Sequence, residues 1–278
     1  MHNKKSIKSG FIWSAVDSLG TQAIALVISI TLANILGPSV FGLVAMVSIF
    51  MAIANTFVNS GFNSALIRKI DRSEVDFSTT FYFGLVVSIL CYLLLFTGAP
   101  YIAVFYNQPE LTALVRVMGL VVVVINAFAA IPRVKLTVNL NFKVQAKCNF
   151  IALLFSSITA LVLAYLEYGV WVLVAQQLVM NLINVIMLNI MTPWRPREKF
   201  CNESFKELFG FGSKLLVSGL IDTIYMNIYG LIIGKYFSAA QLGLFNQAQK
   251  LSMLPATTST SSYNTDQNLF EVNSRFRL

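Results

Sequence analysis

Seven apolar runs alternate with short polar connections along the chain, at roughly 11–36, 41–62, 79–104, 111–132, 148–166, 170–192 and 211–234. A helix crossing a bilayer needs about 20 mostly apolar residues, and hydrocarbon offers backbone amides no other partner, so each run predicts a spanning helix. The fold class is therefore all-α, a polytopic membrane protein. Its expected organisation is a six-helix lobe over 1–192, a cytoplasmic linker over 193–210, the start of a second lobe over 211–255 and a polar, disordered tail over 256–278. Between the first two runs lies Gly37-Pro38-Ser39, where Pro38 blocks continuation of the first helix and Gly37 permits a close reversal. The N-terminal MHNKKSIKSG followed by apolar residues starts as a signal peptide does, but the run continues to Leu36 without a small-residue cleavage site, which predicts a retained anchor.

Polar residues inside the runs are periodic. Ser14, Asp17, Ser18, Thr21 and Gln22 recur at helical spacing in the first run, Ser48, Asn55, Thr56, Asn59 and Asn63 in and just past the second, and Lys214, Ser218, Asp222, Tyr225 and Tyr229 in the seventh. Three helices thus carry a polar stripe. Single hydroxyls and amides commonly serve helix packing, whereas an aspartate near mid-membrane costs about 2.5 to 3.5 kcal/mol and is tolerated at a bundle interior or a wet cavity. Asp222 has that depth. It either faces a cavity or pairs internally, with Lys214 two turns away or with another helix; Asp17, shallower and near Lys8, either faces a cavity or pairs at the membrane interface. Arg116, about one and a half turns into the fourth run, either snorkels to the interface or lines a cavity for an anionic group.

Charge fixes an orientation. Lys4, Lys5 and Lys8 precede the first run; Arg68, Lys69 and Arg72, then Arg133, Lys135, Lys143 and Lys147, then Arg195, Arg197, Lys199 and Lys206 fill every second connection. LGPSV, YNQPE and LEYG carry no lysine or arginine, so the positive-inside rule places the N-terminus in the cytoplasm. Tyr101, Tyr106, Tyr165, Tyr168 and Trp171 fall at outer ends and Trp194 at an inner one, as interfacial anchors.

Composition agrees: 56% of residues are apolar and 12% charged, outside the soluble globular range. The net charge of +8 is spent on topology rather than on a patch for nucleic acid. Cys91, Cys148 and Cys201 lack metal-ligand spacing and the one histidine is His2, which argues against structural zinc and a disulfide framework; no cofactor is expected. Asp71, Glu74 and Asp76 read as a solvated face, and no DxD pair supports nucleotide-sugar binding, so no enzyme is expected.

A faint repeat is present at an offset of 201 residues. It lays Ile35–Met46 over YFSAAQLGLFNQ, Gly42-Leu43 over Gly243-Leu244, and Thr21 over Asp222. Six helices separate the copies, which gives them the same orientation, as in transporters built from parallel repeats.

Taken in order, GFIWSAVDSLG, LGPSVFGLVAM, NSGFNSALIRK, NQPEL, IPRVKLTVNLNFK, GVWVLVAQQL, WRPR, FGSKLL and YFSAAQLGLFNQAQKL carry a resemblance over about residues 8 to 255. The chain resembles the polysaccharide-transport branch of the multidrug/oligosaccharidyl-lipid/polysaccharide exporter superfamily, the O-antigen and exopolysaccharide flippases of the bacterial inner membrane. The resemblance implies a carrier in lipopolysaccharide or exopolysaccharide synthesis that turns an undecaprenyl-diphosphate-linked oligosaccharide to the periplasmic face by alternating access between two six-helix lobes. It also implies that the first, second, seventh and eighth helices line the cavity, which agrees with the stripes found independently on the first, second and seventh. Asp17, Thr21, Gln22, Asn55, Asn59, Arg116, Lys214 and Asp222 are the cavity candidates, with Lys214 and Arg116 for diphosphate and Asp222 or Asp17 for a coupling ion. Family members run to about twelve or more spans. The polar ATTSTSSYNTDQNLFEVNSRFRL after Pro255 leaves two expectations: a truncated or frame-shifted, non-functional copy, or a chain that needs a homodimer or a separate second half. The competing expectations are a multidrug or cation exporter of the same superfamily and a membrane glycan polymerase or transferase.

Overall fold

The computed structural model describes residues 4–59, 61–139 and 141–252, with side chains from Gly20 onward except those of Asn59 and Val122. Among the described residues the regular structure is entirely helical: α1 Lys4–Leu36, α2 Pro38–Asn59, α3 Phe62–Arg68, α4 Glu74–Tyr106, α5 Leu111–Gly119, a π-helical segment Leu120–Ile125, α6 Asn126–Val138, α7 Phe142–Tyr165, α8 Trp171–Met191, α9 Asn202–Tyr236 and α10, 239–252. The α5, π and α6 segments form one rod. Six helices are long and apolar enough to cross a membrane, and α1 adds the shorter apolar stretch Gly20–Leu36.

The reversal after α1 takes a single residue. Gly37 has φ +77°, its N–H closes on the Ala33 carbonyl at 3.1 Å, and Pro38 starts α2. A left-handed residue ends one helix, and a residue with no N–H to satisfy opens the next. α2 then runs through the middle of the bundle, with Met46, Val47, Met51 and Ala54 buried against Ala99 and Ala103 of α4, Leu114 and Met118 of α5, and Val172 and Val174 of α8. α1 leans mainly on α7, and α7 pairs with α8. By contrast, none of the most apolar stretch of α9 is buried. It packs on α2, α3 and α4 and leaves Val217, Ile221, Ile224, Tyr225 and Tyr229 open.

Two prolines lie inside helices, Pro100 in α4 and Pro132 in α6. Each deprives the carbonyl four residues earlier of its helical donor. In hydrocarbon such a group needs a replacement from a neighbouring helix. Asn189 Nδ2 of α8 donates to the Phe128 carbonyl at 3.3 Å, and Arg116 Nε of α5 reaches the Phe96 carbonyl at 3.5 Å.

The seventh expected span begins earlier than its apolar pattern suggests. Residues 202–210, expected within a linker, are the first turns of α9, so the non-helical connection is only about half as long. Ser204, Leu208 and Gly212 are buried at four-residue spacing, and tertiary contact with α3 and α4 outweighs the polar composition of NESFKE. Phe205 and Phe209 join Phe62 and Phe83 in an aromatic cluster, with ring centroids 4.1 to 6.1 Å apart around Phe62. The expected tail at 256–278 lies outside the described residues.

Candidate functional site

α2 and α9 run antiparallel and touch at three depths. Towards the lysine- and arginine-rich end, Gly61 just after α2 meets Gly212 backbone to backbone: a Cβ added to Gly61 would lie 2.6 Å from the Gly212 oxygen, and one on Gly212 would lie 2.9 Å from the Gly61 carbonyl carbon. At mid-depth the Thr56 and Thr223 hydroxyls share a hydrogen bond of 2.8 Å, and each also donates to, or shares with, the carbonyl four residues back in its own helix. At the other end Gly234 sits against Met46, 3.4 Å from a built Cβ.

α10 meets α1 and the start of α2. Ser29 Oγ of α1 donates to Gln247 Oε1 at 3.2 Å. A Cβ on Gly42 would overlap the Ala239 carbonyl oxygen, and one on Gly243 would overlap the Pro38 carbonyl oxygen. Those two overlaps exchange under the 201-residue offset, since Pro38 corresponds to Ala239 and Gly42 to Gly243. Residue i meeting j while j's counterpart meets i's is what an approximate two-fold relation produces. The alignment of Gly42-Leu43 with Gly243-Leu244 is therefore matched by a physical contact between the same positions.

The sequence candidates fall into three groups. Thr21, Gln22 and Asn55 are half-buried on α1 and α2, and Thr56 brings the α2 stripe onto α9 next to Asp222. Lys214 and Asp222 are exposed on the open side of α9, and among the described residues neither makes a hydrogen bond or ion pair, with the other or with anything else. Arg116 stands apart from both groups: its guanidinium lies 4.4 Å over the Phe96 ring and serves the carbonyl that Pro100 leaves free. The side chains of Asp17 and Asn59 lie outside the described residues.

Sequence reasoning missed Thr223 and Asn227, whose amide caps the Thr223 carbonyl at 2.8 Å. Thr223 directly follows Asp222 and Asn227 lies four residues beyond Thr223, so the two share an adjoining face of α9 that the Asp222 stripe does not include. It also misread Asp76. The expected solvated face holds for exposed Asp71, but Asp76 is 2% exposed. Ser73 caps α4 in a reciprocal box, its N–H donating to Asp76 Oδ2 at 2.8 Å. Asp76 Oδ1 accepts from Lys69 Nζ at 3.0 Å and from Ser204 Oγ of α9 at 2.5 Å. Lys69 continues to Glu207 at 2.7 Å, which ties the start of α9 to the α3–α4 connection. Glu74 is exposed yet paired, 2.8 Å from Lys135. Among the described residues no three His, Cys, Asp or Glu side chains converge as a metal ion would require.

A family model described as "Polysaccharide biosynthesis protein" matches residues 31–270. The chain belongs to this family. Similar curated proteins include the teichuronic acid biosynthesis protein TuaB of Bacillus subtilis, 26% identical over 90% of this chain and 52% of that protein. The succinoglycan biosynthesis transport protein ExoT of Rhizobium meliloti is 24% identical over 91% and 51%, and the lipopolysaccharide biosynthesis protein WzxC of Escherichia coli 23% over 89% and 50%. The chain thus spans about half the length of the curated relatives it matches. In fold it is similar to an inward-facing multidrug resistance MATE family transporter of the MOP superfamily, with a TM-score of 0.53 at 17% identity, over 88% of this chain and 62% of that one.

Proposed function

We propose that this chain forms part of a carrier that moves lipid-linked oligosaccharide repeat units across the bacterial inner membrane for surface polysaccharide synthesis. The observation that carries the reading is the junction of the α2 and α9 polar faces at Thr56 and Thr223, with Asn55 on one side and exposed Asp222 on the other. Membership of the polysaccharide biosynthesis family and relatives named for succinoglycan transport, teichuronic acid and lipopolysaccharide synthesis supply the substrate class. Moving a sugar chain and a diphosphate through about 30 Å of hydrocarbon breaks no bond, so the reading is a transporter and not an enzyme. It needs a polar path with at least one cation for the diphosphate and amides or hydroxyls for the sugars.

In this account Lys214 is the cation and Asn55, Thr21 and Gln22 are the sugar-facing groups, while Asp222 holds a coupling ion or balances Lys214. Arg116 is assigned to the α4 backbone instead. Further helices, from a second half or a second copy, cover the open side of α9. The basic end faces the cytoplasm, with the N-terminus on that side.

In cells where surface glycan depends on this chain, Lys214→Ala and Asp222→Asn are each expected to lower export about tenfold or more, as removing one partner of a charge contact to a desolvated diphosphate or coupling ion does. Arg116→Lys should leave it within about twofold, since the Phe96 carbonyl keeps a donor. Labelled glycan recovered from the cell surface, normalised to protein in the membrane, checks both; unchanged export in the Lys214 and Asp222 variants would refute the assigned path.

A further inference from the structure

Outside the α2–α9 contact, the basic end holds a cavity of about 630 Å³ between α4, α6, α8 and the strap that follows α8. Its floor is apolar: Phe81, Phe128 and Trp194, with Phe81 edge-on to both other rings at 5.9 and 5.6 Å. Pro193 and Pro196 keep the strap extended and free of two N–H groups that would need partners. The rest of the strap is fastened to α4, where the Glu198 and Cys201 N–H groups donate to the buried Ser78 and Thr79 hydroxyls at 3.4 and 3.2 Å. Two guanidinium groups, Arg195 and Arg197, complete the lining.

The nearby acid does not consume this charge. Glu74 binds Lys135 at 2.8 Å and the Trp194 indole N–H at 2.9 Å. Arg197 feels Glu74 only through space, and among the described residues Arg195 makes no hydrogen bond or ion pair. Phe128 is 44% exposed and Ile186, one turn from Asn189 on α8, is 53% exposed, so apolar surface continues from the floor onto the exposed faces of α6 and α8. An open apolar floor beneath two guanidinium groups that make no ion pair among the described residues suits an amphiphilic anion, and suits neither a free sugar nor a free inorganic ion. Basic recesses between helices at an interface are where anionic headgroups bind. We propose that this cavity binds the phosphate headgroup of an anionic membrane lipid, with the phosphate on Arg195 and Arg197 and the acyl chain along Phe128 and Ile186.

Trp194 provides a local readout. Trp13→Phe and Trp171→Phe leave it as the sole indole in the full chain, reconstituted in vesicles. Acyl-brominated phosphatidylglycerol is expected to quench Trp194 with an apparent affinity about fivefold or more above brominated phosphatidylcholine, the gain that one arginine near a headgroup supplies. R195Q/R197Q should remove the preference, and R195K/R197K should retain part of it. Millimolar inorganic phosphate should not displace the brominated lipid. Unlabelled undecaprenyl diphosphate and unlabelled phosphatidylglycerol should compete comparably if the site reads the headgroup phosphate alone. Equal quenching by the two brominated lipids in the parent protein overturns the proposal without reference to any variant. So does an unchanged preference in R195Q/R197Q, or displacement by free phosphate. Competition by undecaprenyl diphosphate tenfold better than by phosphatidylglycerol would overturn the phospholipid assignment. None of these outcomes depends on whether the chain transports glycan.

Discussion

Replacing Gly42 with alanine is expected to separate α10 from the α1–α2 turn and to lower stability by about 3 kcal/mol, the upper end of what overpacking costs. The methyl would be driven into the Ala239 carbonyl oxygen, a backbone atom that no rotamer change can move aside. Gly243→Ala should do the same from the other side, against the Pro38 carbonyl. Because both substitutions open one interface, the double variant should cost clearly less than the sum of the two, whereas independent sites add within about 0.5 kcal/mol. Gly210, with nothing within 4 Å of a built Cβ, is the control: alanine there should be neutral or stabilise by about 0.5 to 1 kcal/mol through helix propensity. Unfolding midpoints in one detergent decide the matter. Additive losses at Gly42 and Gly243 would mean that the reciprocal contact is absent.

The second large effect is expected at Asp76. Asp76→Ala removes the acceptor for Ser73 and Ser204 and one of two carboxylates on Lys69, and breaking a buried pair in this way costs about 3 to 5 kcal/mol. The loss should be concentrated where the start of α9 meets α3 and α4, so amide exchange in residues 202–212 should rise first. Titration gives an independent reading. Burial pushes the Lys69 ammonium down, but hydrogen bonds to Glu207 and Asp76 outweigh it and hold its pKa above the ordinary 10.5. A raised lysine pKa means that the contribution is fully present below 10.5 and is lost as pH climbs through the higher folded value. Stability should therefore be flat around neutrality with respect to this group and fall on the alkaline side. Asp76→Ala should move that fall to lower pH, and Lys69→Met should abolish it. An alkaline limb identical in all three proteins would contradict the linkage.

The spanning helices were legible because hydrocarbon imposes one rule on every run, and apolar length reports it directly. The one-residue turn at Gly37 was legible because glycine and proline each specify a backbone state. Asp76 was half legible: Ser73 and Asp76 have the spacing of a capping box, but Ser204 lies 128 residues away and sequence spacing carries no information about that approach. The roles of Arg116 and Asn189 could have been found from Pro100 and Pro132, since each proline announces a carbonyl in need of a donor. The π segment gave no such sign, because LVVVVI is equally apolar in either helical register. The candidate site was legible as stripes but not as contacts. Lys214 and Asp222 point to the open side of α9 while their neighbour Thr223 takes the closed side, and a difference of one position decides which.

In the proposed carrier α2 and α9 separate as a lipid-linked oligosaccharide crosses, and a reversible cross-link between them tests this directly. With Cys91, Cys148 and Cys201 replaced by serine, a T56C/T223C pair brings thiols to the position of the 2.8 Å hydroxyl contact, where a reversible disulfide can form. Movement of a fluorescent undecaprenyl-diphosphate oligosaccharide is then followed in vesicles containing the carrier. Transport is expected at the parent rate under reductant, to fall at least about tenfold on oxidation, and to recover on reduction. Equal transport by the oxidised and reduced protein, with the cross-link verified, would contradict that separation.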